Sequence, residues 1–413
     1  MSRRSIPWLV VAGVLVAALS LRAPIIAVTP VLPDIVRDLG IGAAFAGLLT
    51  TAPVIMFAAI TPIAALLIRR AGAELALLLS LSGVLLGTFV RAVPGYGAML
   101  TGMFIIGAAI TIGNVVVPVI IRRELPPERT AVATAAYSAT LNVGSLVTAL
   151  GTVPLAELTG WPLALLLWST VTVVGLVLWV FHIIRSRSWR TAERASGETG
   201  PQQRTDTGET ITGPLPVIVD NRVAAIVRRP IVWMLFAAFG MQSAIYYGMS
   251  TWLPTMLIDT TGADAATAGA LASLFQGVAI IGALLAPVLL RYLGAVPAGV
   301  LMGACFAVMV LGMLFAPWLA AVWASFGAIA HSSGFVLIFT ALVRVSRSDA
   351  EAATMSALVQ GGGYLLAALG APLLGALNEI SGGWQVPMFV VIGATAVYST
   401  ALVSAMFVAL RRR

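Results

Sequence analysis

The 413-residue sequence contains no lysine, one cysteine (Cys305) and two histidines. A single cysteine cannot build an intramolecular disulfide framework or a cysteine-based metal site. Without lysine there is also no G-x-x-x-x-G-K-[ST] loop to hold nucleotide phosphates, so the sequence offers no ATP site.

Charged residues are scarce as well. They form 10% of the chain, hydrophobic residues form 60%, and the mean hydropathy is +1.01. Apolar runs of about twenty residues between short polar breaks predict membrane-spanning helices. Barrel strands would alternate apolar and polar residues, and backbone amides in lipid must bond internally. The sequence therefore predicts an all-α integral membrane protein.

Twelve apolar runs can be counted, at about 7–29, 43–68, 74–92, 96–121, 130–156, 161–184, 230–257, 265–290, 296–315, 317–342, 351–377 and 385–410. An even number puts both termini on one side. All but three of the 24 arginines fall on that side, whereas Arg37 and Arg91 fall on the opposite side and Arg22 lies inside a run. The positive-inside rule predicts that both termini are cytoplasmic, in the inner membrane. The basic residues are scattered over loops, so we expect no nucleic-acid partner.

A polar stretch separates the sixth and seventh runs. Residues 185–228 include the segment from Ser186 to Leu215, which is rich in Gly, Thr, Arg and Glu. This composition predicts a flexible cytoplasmic linker between an N-terminal six-helix bundle, residues 1–184, and a C-terminal one, residues 229–413. A regulatory or partner-binding role for the linker is the alternative.

Several short motifs recur in the two halves, and the members of every pair are separated by almost the same length of chain. The shared offset indicates that six helices have been duplicated. Parallel six-helix repeats are typical of secondary transporters, whose binding site lies near the midplane between the repeats. The recurring pairs are Leu32-Pro33 with Leu253-Pro254, Gly47 with Gly269, Arg122 with Arg344, and Trp161 with Trp384.

Other motifs carry a family resemblance. They are Leu21-Arg22-Ala23-Pro24, Pro30-Val31-Leu32-Pro33, GNVVVP from Gly113, Ile121-Arg122-Arg123, QSAIYY from Gln242, Trp252-Leu253-Pro254, and SALVQGGGYL from Ser356. With them the chain resembles the major facilitator superfamily, and more narrowly its cyanate and 2-nitroimidazole permease family. The resemblance implies two six-helix bundles related by a pseudo-two-fold axis and transport by alternating access. The loop 68–74 departs from the superfamily pattern because it lacks the usual Asp.

Arg22 lies about fifteen residues into the first run, where an arginine costs roughly 2.5–3.5 kcal/mol on insertion scales. Its repeat mate, at the offset that Gly47 and Gly269 define, is Ala244. Asp and Glu are absent from the interior of every predicted helix and sit in loops or at helix ends, so a transported anion is the expected counter-charge for the planar guanidinium. The alternatives are a structural hydrogen-bond hub and a side chain that snorkels to the headgroups.

Uncharged polar side chains at mid-depth could complete a solute site or could join helices instead. These candidates are Asn142, Gln242, Tyr246, Gln360 and Tyr364. His331 is the one histidine at depth and is a candidate proton or gating residue, with a hydrogen-bonded core histidine as the alternative. Asn114 lies nearer the cytoplasmic end and is a candidate for the inner gate or for packing.

We therefore expect a secondary transporter for a small, anionic, cyanate-like solute that works as a monomer in the lipid bilayer. An exporter of neutral nitroimidazole-like compounds is the alternative. A membrane enzyme or sensor would need a Cys/His/Asp cluster or a substantial soluble domain, and the sequence has neither. No enzymatic activity, cofactor or metal is expected.

Overall fold

The computed structural model describes residues 8–125, 127–195, 223–347 and 349–410, and every regular element in these ranges is helical. In chain order the elements are Trp8–Ser20, Ala23–Ile26, the 3-10 turn Thr29–Val31, Leu32–Leu39, Ala43–Ala71, Ala73–Arg91, Tyr96–Glu124, Pro127–Thr159, Trp161–Leu167, Ser169–Ala195, Val223–Val227, Pro230–Thr261, Ala265–Tyr292, Ala295–Phe315, the 3-10 turn Pro317–Leu319, Ala320–Val345, Asp349–Ala367, Gly370–Ser381 and Gln385–Leu410.

Twelve segments of the described chain are long and apolar enough to cross a membrane, which confirms the predicted number and class. Numbered span 1 to span 12, they are Trp8–Leu39, Ala43–Thr61, Ala73–Arg91, Tyr96–Ile121, Ala139–Thr159, Trp161–Arg185, Pro230–Thr261, Ala265–Tyr292, Ala295–Phe315, Pro317–Val345, Thr354–Ser381 and Gln385–Leu410. Spans 1–6 form the first half and spans 7–12 the second half. Because the number is even, Trp8 and Leu410 share one face, the terminal face, and the opposite face is the distal face.

Two of the helix boundaries that the sequence predicts differ from those in the structure. The predicted loop after the first run is mostly helical, since the helix Leu32–Leu39 extends span 1. Pro33 in its first turn and Asp34 near its positive end favour a helix start, and Gly40 ends it at φ +59°. The helix Ser169–Ala195 continues into the predicted linker. Residues 196–222 of that linker lie outside the described residues.

Equivalent side-chain contacts bind the distal ends of both halves. The indole Nε1 of Trp161 donates to Asp38 Oδ2 at 3.1 Å, and that of Trp384 donates to Asp259 Oδ2 at 2.8 Å. The two tryptophans are repeat mates, and the two aspartates are separated by almost the same length of chain. The same contact thus joins spans 1 and 6 in the first half and the ends of spans 7 and 12 in the second, as a duplicated plan requires.

The two halves touch backbone to backbone near the distal face. A Cβ added to Gly47 of span 2 would lie 2.6 Å from the carbonyl carbon and oxygen of Ala371 in span 11. A Cβ added to Gly375 of span 11 would lie 2.6 Å from the carbonyl oxygen of Ala43. Any side chain at either position would overlap main-chain atoms. The absence of a side chain is therefore what allows spans 2 and 11 to approach so closely.

Two hydrogen bonds cross between the halves at the same level. Thr251 Oγ1 in span 7 donates to Thr50 Oγ1 in span 2 at 2.8 Å. The backbone N–H of Ala43 donates to Glu379 Oε2 at 3.1 Å, so a carboxylate of the second half caps the first turn of span 2. These contacts close the molecule at its distal face.

At the terminal face, Glu74 lies in the first turn of span 3, at the end of the loop 68–74 that lacks the expected Asp. Its Oε1 accepts from Arg123 Nη2 at 2.5 Å, and its carbonyl accepts from Trp179 Nε1 at 2.9 Å. Gly72 has φ +86° in the tight turn before it. The tight turn at Gly72 is therefore present. The ion pair between Glu74 and Arg123 joins the terminal-face ends of two helices of the first half, Ala73–Arg91 and Tyr96–Glu124, and does not connect the two halves.

Candidate functional site

Span 1 is interrupted at the position of Arg22. Its first helix ends at Ser20, the next begins at Ala23, and Arg22 occupies the junction with φ −123° and ψ −34°. Pro24 explains the interruption, because its ring excludes the carbonyl one turn earlier and it has no N–H to donate. The break lets the arginine side chain leave span 1 from a non-helical residue.

The arginine faces a cavity of about 200 Å³ between the two halves, on the terminal side of the distal contacts. Spans 1, 2, 4, 7 and 11 form its wall. The lining residues are Leu21, Arg22, Ile25, Ile26, Phe57, Ala58, Thr61, Ile110, Thr111, Asn114, Val115, Tyr246, Tyr247, Ser356, Ala357, Gln360, Gly361 and Tyr364. Among the lining residues that the structure describes, Arg22 is the only charged one, and its neighbours are predominantly apolar and aromatic.

Tyr246 of the second half is the hydrogen-bond partner of Arg22. The guanidinium Nη1 donates to the phenol oxygen at 3.4 Å, and the phenol donates to Gln276 Oε1 at 2.9 Å. Among the described residues, none of the ion pairs involves Arg22. The side chain therefore points into the cavity and toward the second half.

Four of the other predicted site residues line the same cavity: Asn114, Tyr246, Gln360 and Tyr364. Gln360 Nε2 donates to Ser356 Oγ at 2.6 Å, and Asn114 Oδ1 accepts from Tyr137 at 3.3 Å. The ring of Tyr364 packs edge-on against Phe57, with 5.7 Å between centroids. Together with Arg22, these predicted polar residues come from four spans, 1, 4, 7 and 11.

Gln242 and His331 lie behind this wall. Gln242 is fully buried, and its Nε2 donates to the His331 carbonyl at 2.7 Å, which joins spans 7 and 10. The His331 ring stacks on Tyr246 with 4.0 Å between centroids and 11° between planes. Neither residue is part of the cavity lining, and neither is half-buried Asn142. Gln242 and His331 support Tyr246 from the core of the second half.

Sequence reasoning missed several lining residues. Thr111 precedes Asn114 by three residues and Ser356 precedes Gln360 by four, so helical spacing alone would have placed each beside a chosen candidate. Phe57 and Tyr247 gave no such signal, because an aromatic residue in an apolar run is equally typical of lipid contact or core packing.

The sequence placed Arg91 at the distal end of the third run, but it gave no sign that the side chain is buried. Arg91 is the last residue of span 3, and only 2% of its surface is exposed. Its guanidinium turns inward because main-chain carbonyls there can accept its hydrogen bonds, so the positive charge is held inside the first half.

Comparisons with known proteins agree with this architecture. The family model of the Major Facilitator Superfamily matches residues 10–355, and the chain belongs to that superfamily. It is 32% identical to the 2-nitroimidazole transporter of Escherichia coli (strain K12) over 92% of this chain and 90% of that protein. It is 26% identical to the cyanate transport protein CynX of the same organism, over 89% of each chain. The predicted resemblance to both permeases is confirmed.

Solved structures show the same fold at low sequence identity. The nucleoside transporter NupG aligns with a TM-score of 0.73 at 12% identity, covering 96% of this chain and 99% of that one. An inward-facing, unoccupied bacterial homologue of the lysosomal transporter Spinster aligns with a TM-score of 0.70 at 17% identity, covering 99% and 95%. The superfamily match and the twelve spans together identify the protein as a multi-pass membrane transporter.

Proposed function

We propose that the protein is a secondary transporter that carries a small anionic, cyanate-like solute by alternating access. The observation that supports this most directly is Arg22, a cation facing the cavity between the halves for which the described residues supply no carboxylate. An arginine inside the membrane needs a counter-ion, water or dipoles. An anionic solute entering the cavity supplies the counter-ion, and the planar guanidinium fork suits a linear or carboxylate-like group.

The solute joins the two halves. Arg22 belongs to the first half and Tyr246 to the second, and their contact is long at 3.4 Å. An anion held by both, and oriented by Gln360 and Tyr364, favours an occluded state in which the halves draw together. Binding energy that is larger in that state shifts the conformational equilibrium toward it. Asn114, further along span 4 toward the terminal face, acts at the inner gate.

We assign the terminal face to the cytoplasm, as the positive-inside rule requires. The distal contacts of spans 2, 7 and 11 then close the periplasmic side, and the cavity belongs to a cytoplasm-facing state. In this proposal residues 1–184 and 229–413 rock about the cavity, residues 185–228 link them, and the protein acts as a monomer in the inner membrane.

A second candidate is export of a neutral nitroimidazole-like compound. Identity of 32% to a protein named as a 2-nitroimidazole transporter favours it, and so do the aromatic rings of Phe57, Tyr247 and Tyr364 in the lining. In that case Arg22 would donate hydrogen bonds to a nitro group, and the rings would pack against the heterocycle.

Counterflow in proteoliposomes tests these alternatives. Vesicles loaded with one solute are assayed for uptake of labelled cyanate, nitrate, formate or 2-nitroimidazole, for the wild type, Arg22→Gln and Arg22→Lys. We expect anion exchange by the wild type, a loss of about 100-fold in Arg22→Gln, and partial activity in Arg22→Lys, which keeps the charge but not the fork.

The neutral-solute candidate predicts a different pattern, in which 2-nitroimidazole exchanges and cyanate neither exchanges nor competes. Undiminished anion exchange by Arg22→Gln, at wild-type protein levels in the vesicles, would remove Arg22 from the solute site and overturn the proposal.

A further inference from the structure

Arg91 binds main-chain carbonyls of two other spans. Its Nη1 donates to the Pro24 carbonyl of span 1 at 2.5 Å, and its Nη2 donates to the Leu165 carbonyl of span 6 at 3.1 Å. The same Nη1 lies 3.8 Å from Met103 Sδ in span 4. A single guanidinium in the core of the first half therefore connects spans 1, 3, 4 and 6.

Both carbonyls lie where a helix stops. Pro24 belongs to the short helix Ala23–Ile26, and Leu165 belongs to Trp161–Leu167, which ends before the second helix of span 6 begins. The last carbonyls of a helix have no intrahelical donor, and the negative end of the helix dipole attracts a cation. These groups explain how Arg91 is buried beside main-chain dipoles rather than a carboxylate.

The second half has neither the break nor the arginine at the equivalent positions. In the repeat, Arg22 corresponds to Ala244 and Arg91 to Met313. Span 7, the counterpart of span 1, is one continuous helix, Pro230–Thr261. The broken span and the buried arginine that contacts its break occur together in the first half, and both are replaced in the second.

We infer that Arg91 is a positioning residue for Arg22: its bond to the Pro24 carbonyl fixes the break in span 1 and thereby aims the Arg22 side chain into the cavity. The inference rests on the proposed function only for the consequence that solute binding depends on Arg91. Pro24 creates the break, and Arg91 holds it in one geometry, two residues from the cation that faces the solute.

Cysteine accessibility tests the positioning directly, because Cys305 is the one native cysteine and Cys305→Ala gives a cysteine-free background. Arg22→Cys is introduced at the break, and Ala357→Cys, on the opposite cavity wall, serves as the matched control. Purified protein in nanodiscs is treated with a charged methanethiosulfonate reagent, with and without Arg91→Met. Met is the residue that the repeat has at this position.

With Arg91→Met, we expect the thiol introduced by Arg22→Cys to react about fivefold more slowly, the change expected from losing one hydrogen bond that fixes its geometry. The thiol introduced by Ala357→Cys should react at an unchanged rate. Equal rates for Arg22→Cys with and without Arg91→Met would overturn the inference. A parallel change at both positions would overturn it too, because it would show a general collapse of the cavity.

Arg91→Lys provides a second variant if Arg91→Met does not accumulate in the membrane. Lysine can reach one of the two carbonyls with its single ammonium group, so we expect labelling of Arg22→Cys at an intermediate rate; the rate found with Arg91 present would contradict the inference. Labelling does not require transport. If Arg22→Gln still exchanges anions while labelling depends on Arg91, the proposed function fails and the positioning role stands.

Discussion

Span 1 and span 7 occupy equivalent places in the two halves, yet one is broken and the other continuous. Span 1 carries Arg22 at its break and receives a hydrogen bond from Arg91, whereas the equivalent residues of the second half are Ala244 and Met313. The Trp–Asp contacts at the distal face are present in both halves. The duplication therefore supplies a common scaffold, and the broken span with its two inward-facing arginines, Arg22 and Arg91, belongs to the first half.

The distal ends of spans 2 and 8 differ in a related way. Asp264 caps span 8 within its own half, accepting from Thr267 N at 2.9 Å and Thr267 Oγ1 at 2.7 Å. These bonds hold the pKa of Asp264 below its ordinary value. The repeat mate of Asp264 is Gly42, which has no side chain to offer, and Glu379 of the other half caps span 2 instead. The free backbone N–H groups at the start of span 8 thus find an acceptor within the same half. At the start of span 2 the acceptor comes from the other half, so it is present only when the two halves meet.

The largest effect should come from moving the charge between the halves. Arg22→Ala combined with Ala244→Arg keeps the composition but places the arginine in a continuous helix, where the Gly370 backbone lies close to the carbonyl of residue 244. We expect anion counterflow to fall about 100-fold or more in Arg22→Ala, as for other buried charge contacts, and to stay lost in the double variant. Recovery in the double variant would show that the site is symmetric after all.

Arg22 and the twelve spans could be predicted from sequence because each rests on a contrast of composition along the chain. A charged residue within an apolar run can be recognised from the sequence without knowing the fold. The burial of Arg91 could not be predicted, because its inward turn depends on carbonyls 67 and 74 residues away in the chain.

The direction in which each polar side chain points could not be predicted from the sequence either. Gln242 and Tyr246 lie four residues apart on span 7, so helical spacing assigns them to similar sides. The cavity nevertheless reaches Tyr246 and not Gln242, which is fully buried and donates to the His331 carbonyl of span 10. Packing between spans that are distant in the chain decides which of two neighbouring polar side chains lines the cavity. No local sequence pattern reports that packing.

The equivalent glycines Gly47 and Gly269 give the next largest contrast. A Cβ at Gly47 would lie 2.6 Å from backbone atoms of span 11, whereas a Cβ at Gly269 would meet Val153 Cγ2 at 3.5 Å and Pro30 Cβ at 3.8 Å. We expect Gly47→Ala to destabilise distal closure and slow exchange about tenfold or more, as overpacking does, and Gly269→Ala to be tolerated.

Accessibility of the distal contact measures this difference. Thr251→Cys in the Cys305→Ala background places a thiol beside span 2, and its labelling should accelerate with Gly47→Ala but not with Gly269→Ala. Equal responses to the two alanines would mean that the close approach of spans 2 and 11 does not control closure.

A smaller effect is expected from the hydroxyl that joins the halves at the cavity. Tyr246→Phe removes the contacts to Arg22 and Gln276, and Tyr247→Phe removes a neighbouring hydroxyl from the same lining. One lost hydrogen bond to a charged group corresponds to a weakening of solute binding by about tenfold for Tyr246→Phe. Competition binding to purified protein compares the two variants, and an equal loss from both would assign the effect to the ring environment instead.

The smallest effect should come from the carboxylate that caps span 2 across the halves. Glu379→Gln keeps an oxygen that can accept from Ala43 N but removes the charge at the positive end of the helix dipole, so we expect the distal-closed state to lose only about twofold to fivefold in population. The matched variant is Glu157→Gln, since exposed Glu157 is the repeat mate of Glu379 and span 8 already has its own cap. Labelling of Thr251→Cys should rise slightly with Glu379→Gln and stay constant with Glu157→Gln.

Asp264→Asn gives the complementary case to Glu379→Gln, because the cap that Asp264 provides lies within one half. Weakening a cap inside one half changes the stability of that half equally in every state of the transporter. We therefore expect Asp264→Asn to lower the thermal stability of the protein without changing the labelling rate of Thr251→Cys. A change in labelling as large as that caused by Glu379→Gln would show that any weakened helix start opens the distal face, and the cap across the halves would lose its special role.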